Sequence, residues 1–218
     1  MHQFIFAIRY VIINITFNIL IIAQFVDFLS VQYKNREGAF MKKYVNVFDY
    51  AKEIMQALPK GVLLTTKADG KVNTMTIGWG TLGIEWAKPV FITFVREHRF
   101  TRSQLDTSGE FTVNIPLGEF NKKILGYCGT HSGKDTDKIA DLDLTLEDGE
   151  KVAAPAIREL PLTLECKVIY KQKQELSALP PEIQRQSYPQ DVDSSYCGSN
   201  KDIHIAYYGE IVNAYIVE

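Results

Sequence analysis

The chain has 218 residues, of which 46% are hydrophobic and 23% are charged, and its formal net charge at pH 7 is −2. This composition excludes an intrinsically disordered chain and a protein with several membrane spans. The slightly negative charge removes the basic surface that marks most nucleic-acid-binding proteins, so we expect no nucleic-acid partner. Three cysteines are too few and too scattered for a disulfide framework, which favours a reducing, cytoplasmic setting.

The first 40 residues differ in composition from the rest, with eight Ile and six Phe but one Gly and no Pro. Between Arg9 and Asp27 lie 17 uncharged residues, at the lower limit for a membrane span. A membrane anchor, a docked hydrophobic helix and a segment foreign to the natural protein are all open. We favour the third, because the codons of Arg36–Gly38 can form a bacterial ribosome-binding site just upstream of Met41. Mass spectrometry of the native N-terminus tests this, and a peptide from within the segment would refute it.

From Met41 onward the chain carries 21 Lys and Arg against 24 Asp and Glu, and its pattern predicts one acidic, mainly β domain over residues 41–218. In chain order we expect a helix over 48–58, strands over 61–67 and 72–79 joined by a hairpin turn at 68–70, a strand over 90–95, a helix over 101–106, a strand over 111–115, a helix over 119–127, and strands over 162–170 and 203–217. Residues 176–202 are expected to form a long surface loop. Strands of this number with short helices between them indicate a closed or partly closed antiparallel barrel.

A first polar segment lies on the strand predicted over 72–79. Its candidate ligand contacts are Asn73, Thr74, Met75, Thr76 and Trp79. Gly78 and Gly80 permit a flat ligand to approach the backbone closely, and the tryptophan offers a stacking face. The alternative is a strand with a bulge and a core tryptophan.

A second segment follows the strand over 90–95 and opens a short helix. It gathers three arginines and two hydroxyl groups, which are Arg96, Arg99, Arg102, Thr101 and Ser103. Forked guanidinium donors beside a helix start suit an anion, most simply a phosphate. The alternative is a solvated loop with a Thr or Ser cap.

A third segment, over 127–138, is the densest polar stretch of the chain. Ser132 or Thr130 is expected to cap a helix over 134–140, which would place Lys134 and Lys138 on one face. Cys128 and His131 suggest half of a metal site, completed by Cys197 and His204, or a Cys-His nucleophile. The spacing matches no zinc motif, so we expect no metal, and a buried cysteine remains the simplest interpretation.

Together these segments resemble the flavin-reductase-like family, and more narrowly its flavoredoxin-type FMN-binding proteins, from about Gly61 to Tyr215. The matching motifs are Asn73-x-Met75-Thr76-x-Gly78-Trp79-Gly80, Arg96-x-x-Arg99-Phe100-Thr101, Phe111-Thr112-Val113-Asn114, Cys128-Gly129-x-x-Ser132-Gly133-Lys134-Asp135-x-Asp137-Lys138 and Gly209-Glu210-Ile211. The resemblance implies an antiparallel split β-barrel with short helices, which forms a homodimer and binds one FMN per subunit at or near the dimer interface.

The resemblance also implies roles for individual residues. The strand from Asn73 to Trp79 would line the isoalloxazine ring, with Thr76 at the flavin edge. Arg96, Arg99 and Thr101 would hold the phosphate. The remaining contacts would come from Ser132, Lys134, Lys138 and His204. A hydrogen-bonded strand histidine is the alternative for His204, and Lys134 stands where the family commonly has arginine.

These observations predict an FMN-dependent oxidoreductase that moves electrons or hydride from NAD(P)H or from a partner protein. No dinucleotide-binding glycine motif is present, so a nicotinamide would bind transiently in an open cleft. Three alternatives stay open: an electron carrier that keeps its FMN, a non-catalytic FMN-binding or storage protein, and a membrane-tethered barrel with a non-flavin ligand. Contact with a membrane is expected only if residues 1–40 are native.

Overall fold

A computed structural model describes residues 41–192 and 201–218. The hydrophobic segment over 1–40 and Cys197 lie outside these residues, so the interpretation of that segment and the start at Met41 stay predictions. Ten strands are described: β1 Lys42–Tyr44, β2 Val62–Ala68, β3 Lys71–Ile77, β4 Gly80–Glu85, β5 Lys88–Arg96, β6 Glu110–Ile115, β7 Leu146–Glu147, β8 Ala156–Ile157, β9 Leu162–Lys173 and β10 His204–Val217.

The helices in the described residues are short and lie in the connections between strands. They are α1 Ala51–Ala57, α2 Phe100–Ser108, α3 Lys123–Thr130, α4 Lys138–Asp141 and α5 Pro181–Ser187, with 3₁₀ turns at Val47–Tyr50, Leu58–Lys60 and Leu176–Ala178. No helix among residues 41–192 and 201–218 is long and apolar enough to cross a membrane.

Eight strands form one antiparallel sheet in the order β3-β2-β6-β9-β10-β5-β4, with β1 added to β10. The two ends of this path, β3 and β4, are not paired with each other, yet only Gly78 and Trp79 separate them in the chain. Two intervening residues span at most about 11 Å, so the sheet must curl until its two edges almost meet. The result is a split barrel, and the split lies at Gly78 and Trp79.

Strand β10 is the longest strand and links the two halves of the barrel. Its first half pairs with β5, its last residues pair with β1, and its register against β9 shifts twice. One shift lies at Gly209, where a Cβ atom would come 2.7 Å from Phe111 Cε1 and 2.9 Å from Cys166 Cβ. Only glycine lets β10 approach the barrel interior this closely, which explains its place in the motif.

Two hydrophobic clusters hold the domain together. The larger fills the barrel and includes Ile54 of α1, Phe91 of β5 and Phe111 of β6. The smaller lies on the outer side of β2 and packs Leu63 against Ile124 and Cys128 of α3. Helix α3 therefore packs on the outside of the sheet, and its C-terminal end lies at the open edge of β3.

The predicted antiparallel barrel with short helices is confirmed, and so are most of its strands. The hairpin at Asp69-Gly70 is present, with positive φ at both residues. The strand predicted over 72–79 ends at Ile77, and the sequence did not predict β4. Gly80 and Gly83 have low β propensity, so the sequence pattern does not indicate a strand there. Gly80 is required because a Cβ there would lie 2.7 Å from Phe91 Cζ.

Two predicted helices are displaced along the chain. The helix expected over 119–127 covers Lys123–Thr130, because the Asn121 side chain accepts a hydrogen bond from Lys123 N and sets a later start. The helix expected over 134–140 covers only Lys138–Asp141, and its cap is Asp137 and not Ser132 or Thr130. The loop predicted over 176–202 contains the short helix α5.

Candidate functional site

Two adjoining cavities lie where the split barrel opens. The larger, called here the polar cavity, has a volume of about 340 Å³ and extends from β3 to the start of α2 and to the turn after α3. The smaller, called the edge cavity, has about 180 Å³ and lies against the edge of β3 and the connection to β4. Met75, Arg96 and Arg99 line both. The two cavities are therefore one continuous cleft.

The structure brings together eleven of the twelve residues predicted to bind a cofactor. Those on the polar cavity are Asn73, Met75, Arg96, Arg99, Thr101, Ser132, Lys134 and Lys138, and those on the edge cavity alone are Thr76, Trp79 and His204. Thr74 is the exception. It lines neither cavity, because it is fully buried and its hydroxyl group is engaged by Thr65 Oγ1 of the neighbouring strand β2.

The start of α2 faces the polar cavity without a capping side chain. Arg99 occupies the N-cap position and makes no side-chain cap bond, so the alternative of a Thr or Ser cap is wrong. Thr101 is held in place by Asn73, whose Nδ2 donates to Thr101 Oγ1 at 2.9 Å. Backbone N–H groups at an uncapped helix start and an adjacent guanidinium group are donors that suit an anion.

Lys138 brings a second cation into the polar cavity from α4. The residue is only 4% exposed, and its Nζ donates to His131 O at 3.2 Å. Burial, reinforced by the charges of Arg99 and Lys71, lowers the pKa of Lys138 to about 8. No carboxylate among the described residues forms an ion pair with it. A bound anion would supply the missing counter-charge.

A tight turn over 132–134 borders the polar cavity beside β3 and the start of α2. Ser132 Oγ accepts from Lys134 N, and Lys71 Nζ donates to Gly133 O at 2.6 Å. A Cβ at Gly133 would overlap the Asn73 amide and lie 2.8 Å from Phe100 Cδ1. The glycine thus lets this turn pack onto β3 and α2. Lys134 is exposed on the turn and is not on a shared helix face with Lys138.

Arg96 is engaged differently from the simple phosphate ligand that the sequence predicts. Its Nη1 donates to Asp202 O at 2.6 Å and its Nη2 to Ser187 O at 2.8 Å, and the guanidinium group lies 5.1 Å from the centre of the Tyr188 ring. Burial lowers the pKa of Arg96. Arg96 therefore ties the chain after α5 to the start of β10 while it borders the cleft.

The edge cavity has an aromatic wall formed by Trp79 and His204. Trp79 is 47% exposed, and its ring lies 4.8 Å from that of His204 at an angle of 44°. His204 Nδ1 is 2.7 Å from Tyr188 Oη, which donates in turn to Gln174 Oε1 at 2.9 Å. Burial and the charge of Arg96 lower the pKa of His204 to about 3, so this wall is neutral at physiological pH.

Cys128 borders the polar cavity, but its environment does not activate the thiol. Burial raises the pKa of Cys128 to about 11, so the thiol stays protonated at neutral pH. His131 stacks on Tyr127, at 3.8 Å between ring centres, and is not paired with Cys128. Among residues 41–192 and 201–218 no three potential metal ligands lie together, and Cys197 is outside them.

Three residues of the site were missed by sequence reasoning. Asp202 is buried at the polar cavity, where its Oδ2 accepts from His98 N at 3.1 Å. Tyr188 lies 16 residues before His204 in the chain and orients its ring, and no local sequence pattern indicates that contact. Phe94 lines the edge cavity, and the alternation of β5 could have indicated which face of the strand it occupies.

The donor set fits an anionic ligand with a flat ring. Cations and an uncapped helix start gather in the polar cavity, while the edge cavity offers Trp79, a free strand edge and no charged group of its own beyond Arg96 and Arg99. A phosphate in the first and a ring in the second would place a flavin mononucleotide along the cleft. The polar cavity alone, at about 340 Å³, is within the range of small-molecule sites, and the edge cavity extends it.

Comparison with known proteins identifies the family of this chain. The model of the flavin reductase like domain matches residues 55–218. An uncharacterized protein of Archaeoglobus fulgidus is 30% identical over 125 residues, and the match covers 57% of this chain and 66% of that relative.

Two solved structures extend the comparison to three dimensions. Flavoredoxin from Methanosarcina acetivorans is 28% identical with a TM-score of 0.52, over 72% of this chain and 68% of that one. The FMN-binding domain of a flavin reductases-like enzyme from Shewanella baltica OS155 is 16% identical with a TM-score of 0.55, over 82% of this chain and 78% of that one.

Proposed function

The chain belongs to the flavin reductase like domain family, and from this premise we propose that it is an FMN-dependent oxidoreductase. Its immediate electron donor is NAD(P)H or a partner protein. One observation carries the proposal. At the split of the barrel, an uncapped helix start and the buried Lys138, which has no carboxylate partner among the described residues, lie next to the exposed Trp79.

The polar cavity is the site proposed for the FMN phosphate. Arg99, Thr101 and the N–H groups at the start of α2 supply hydrogen bonds, and Lys138 supplies a desolvated positive charge. Ser132 and Lys134 border the same cavity from the turn after α3. Charge-assisted hydrogen bonds of this kind are about twice as strong as neutral ones.

The edge cavity is the site proposed for the isoalloxazine ring, which when bound supplies transfer of hydride or of single electrons. Trp79 provides an apolar surface, and Thr76 is fixed by the bond from its Oγ1 to Leu125 O at 2.6 Å. His204 is held neutral and oriented by Tyr188, so it contributes a hydrogen-bonding nitrogen without a change of charge near the ring. The open side of this cavity leaves room for a transient electron donor.

The absorption spectrum of the purified protein tests the cofactor. We expect a yellow protein with a band at about 450 nm, because that absorption is a property of the flavin itself. A colourless protein that takes up no FMN would contradict the proposal and would favour a barrel with another ligand.

Addition of NADH or NADPH without oxygen tests the reaction. Loss of the flavin band on mixing, followed by its return with an acceptor and repeated turnover, is the expected result. Bleaching only with a reduced partner protein would favour an electron carrier instead. A flavin that neither donor class bleaches would indicate a binding or storage protein.

We also propose that the protein is a homodimer and that its aromatic face, defined as Ile84, Trp86, Tyr170 and Tyr208, is the contact. The rings of Trp86, Tyr170 and Tyr208 lie 5.1 to 6.2 Å apart, and Ile84 and Trp86 are 72% and 54% exposed. Tyr208 pairs with Ile92, two residues from Phe94 at the edge cavity. The face therefore continues into the proposed cofactor site.

A further inference from the structure

A third cavity, called here the rear cavity, lies on the outer side of the domain and has a volume of about 660 Å³. It is bounded by α1 and the 3₁₀ turn after it, by the loop over 116–120, and by α3. Its apolar surface comes from Ala57, Pro116, Leu117, Phe120 and Leu125. No residue of this surface lines the polar or the edge cavity.

Three glycines lie on the rear cavity, and two of them adjoin open space. Gly61, Gly118 and Gly126 all line it. A Cβ at Gly118 or at Gly126 would meet no atom within 4 Å. Gly126 lies within helix α3, where alanine has the higher helix propensity. Among residues 41–192 and 201–218, no side chain therefore fills the space beside Gly118 and Gly126.

Charge at the rim defines what the rear cavity can hold. Lys60 and Lys122 line it against a single acidic residue, Glu53. Neither lysine forms an ion pair within the described part of the chain. Ligand sites of this size combine an apolar wall with a few convergent polar groups. An apolar body that carries one negative charge is complementary to both features.

We propose that the rear cavity binds a small organic anion with an apolar ring, of the aromatic carboxylate or sulfonate class. The ring would lie against Leu117, Phe120 and Leu125, and the anionic group would lie between Lys60 and Lys122. This site is separate from the proposed flavin site and does not depend on it.

The rear cavity and the edge cavity are nevertheless close neighbours. Leu125 lines the rear cavity and accepts through its carbonyl oxygen the hydrogen bond from Thr76, which lines the edge cavity. A Cβ at Gly61 would lie 3.0 Å from Thr76 Cγ2. One layer of residues separates the two sites, so an anion in the rear cavity would act next to the redox centre.

The test uses two probes that differ by one sulfonate group: 8-anilino-1-naphthalenesulfonate and uncharged N-phenyl-1-naphthylamine. Binding to the full chain is measured by equilibrium dialysis, which flavin absorption does not disturb. Gly126→Phe should weaken binding of both probes at least about tenfold, since its ring would occupy cavity volume that the probes need. Gly126→Ala, the matched control, adds only a methyl group and should leave both affinities within about twofold.

The double variant Lys60→Gln/Lys122→Gln isolates the charge. We expect it to weaken binding of the sulfonate at least about fivefold and to leave the uncharged probe within about twofold, since only the ion contact is removed. Equal affinity of the sulfonate for the wild type and for Gly126→Phe would overturn the site. A sulfonate affinity unchanged in the double variant would overturn the assignment to an anion. Because the readout is probe binding, these results are independent of whether FMN is bound.

Discussion

Arg99 is the residue whose removal tests the phosphate site most directly. It borders both cavities at the uncapped start of α2. Loss of a charge-assisted hydrogen bond costs about 1.5–3 kcal/mol, and about 1.4 kcal/mol is a factor of ten in affinity. We therefore expect Arg99→Ala to weaken FMN binding roughly 10- to 100-fold in a flavin fluorescence titration, without loss of the folded domain.

Arg102→Ala is the matched control for this variant. Arg102 lies in the same helix but bonds with Asp106 Oδ2 at 3.0 Å and with Glu97 O, and it does not border either cavity. Its removal should leave FMN affinity almost unchanged. Riboflavin, which lacks the phosphate, should bind the Arg99 variant as it binds the wild type. An Arg99→Ala protein that purifies with a full complement of FMN would refute the assignment.

We expect Lys138 to make the affinity for FMN depend on pH. Its pKa is about 8 in the protein without an anion, and only the protonated ammonium attracts a phosphate. Binding must therefore raise this pKa and take up a proton, so affinity is full below pH 8 and falls above it. We expect FMN to bind about tenfold more weakly at pH 9 than at pH 7, since the second phosphate pKa of about 6 lies below this window.

Two controls separate this effect from other titrations. Lys138→Met removes the ammonium group and should give a weaker but flat profile over the same range. Riboflavin should show no such slope with the wild type. Calorimetry in buffers of different ionisation enthalpy measures the proton uptake directly, and a value of zero at pH 8 would contradict the role of Lys138.

At the scale of elements, the site depends on how closely the turn over 132–134 packs on β3 and α2. Gly133→Ala must displace Asn73 or Phe100, and overpacking of this kind costs about 1–3 kcal/mol. Because Asn73 positions Thr101, FMN affinity should fall together with the free energy of unfolding measured with urea. Gly126→Ala, on the open side of α3, should lower neither, and a Gly133→Ala protein as stable as wild type would show that the turn is not in close contact.

The sequence predicted the site residues well where they lie on one strand or at the start of one helix. It predicted them poorly where the contacts join segments that are distant in the chain. The polar run on β3 and the arginine cluster after β5 led directly to Asn73, Thr101 and Arg99. Thr74 is excluded by its bond with Thr65 on the neighbouring strand, a contact that the motif does not reveal. The bonds of Arg96 to Ser187 and Asp202 could not be predicted, because they join residues 91 and 106 positions apart.

Local rules also failed where a polar side chain competed with the hydrophobic pattern. Asn121 and Asp137 set the starts of α3 and α4 by accepting backbone hydrogen bonds, and the helices lie later in the chain than their apolar spacing indicated. The close contact of Gly80 with Phe91 is likewise a tertiary requirement, and it conceals β4 in the sequence. Such positions are decided by packing across the sheet and not by propensity.

At the scale of the whole molecule, the topology explains why a barrel of this kind has a cleft at all. Strands β3 and β4 are neighbours in the chain and opposite ends of the sheet, so the split necessarily opens between them. The start of α2 directly follows β5, which pairs with β4. The end of α3 lies beside β3, where Gly129 is next to Thr76. Three segments far apart in the sequence therefore meet at one place.

The last prediction concerns the whole molecule: the protein forms a dimer through the aromatic face, and one charge introduced there separates the dimer into monomers. Trp86 and Ala87 form the β4–β5 turn with φ of 50° and 56°, a conformation that costs non-glycine residues about 1–2 kcal/mol each. This turn holds an exposed Trp against Tyr170 and Tyr208, and an apolar cluster of this kind is typical of the centre of an interface. We expect the wild type to elute as a dimer in size-exclusion chromatography with light scattering, and Trp86→Glu to elute as a monomer.

Phe48→Glu is the matched control, because Phe48 is also an exposed aromatic residue but follows β1, which pairs with the far end of β10. It should leave the dimer intact. Since the face continues through Ile92 and Phe94 to the edge cavity, the Trp86→Glu monomer should also bind FMN more weakly than the dimer, although it retains Arg99 and Lys138. A wild type that is monomeric at all concentrations would refute the dimer. A Trp86→Glu protein that stays dimeric would move the interface to another surface.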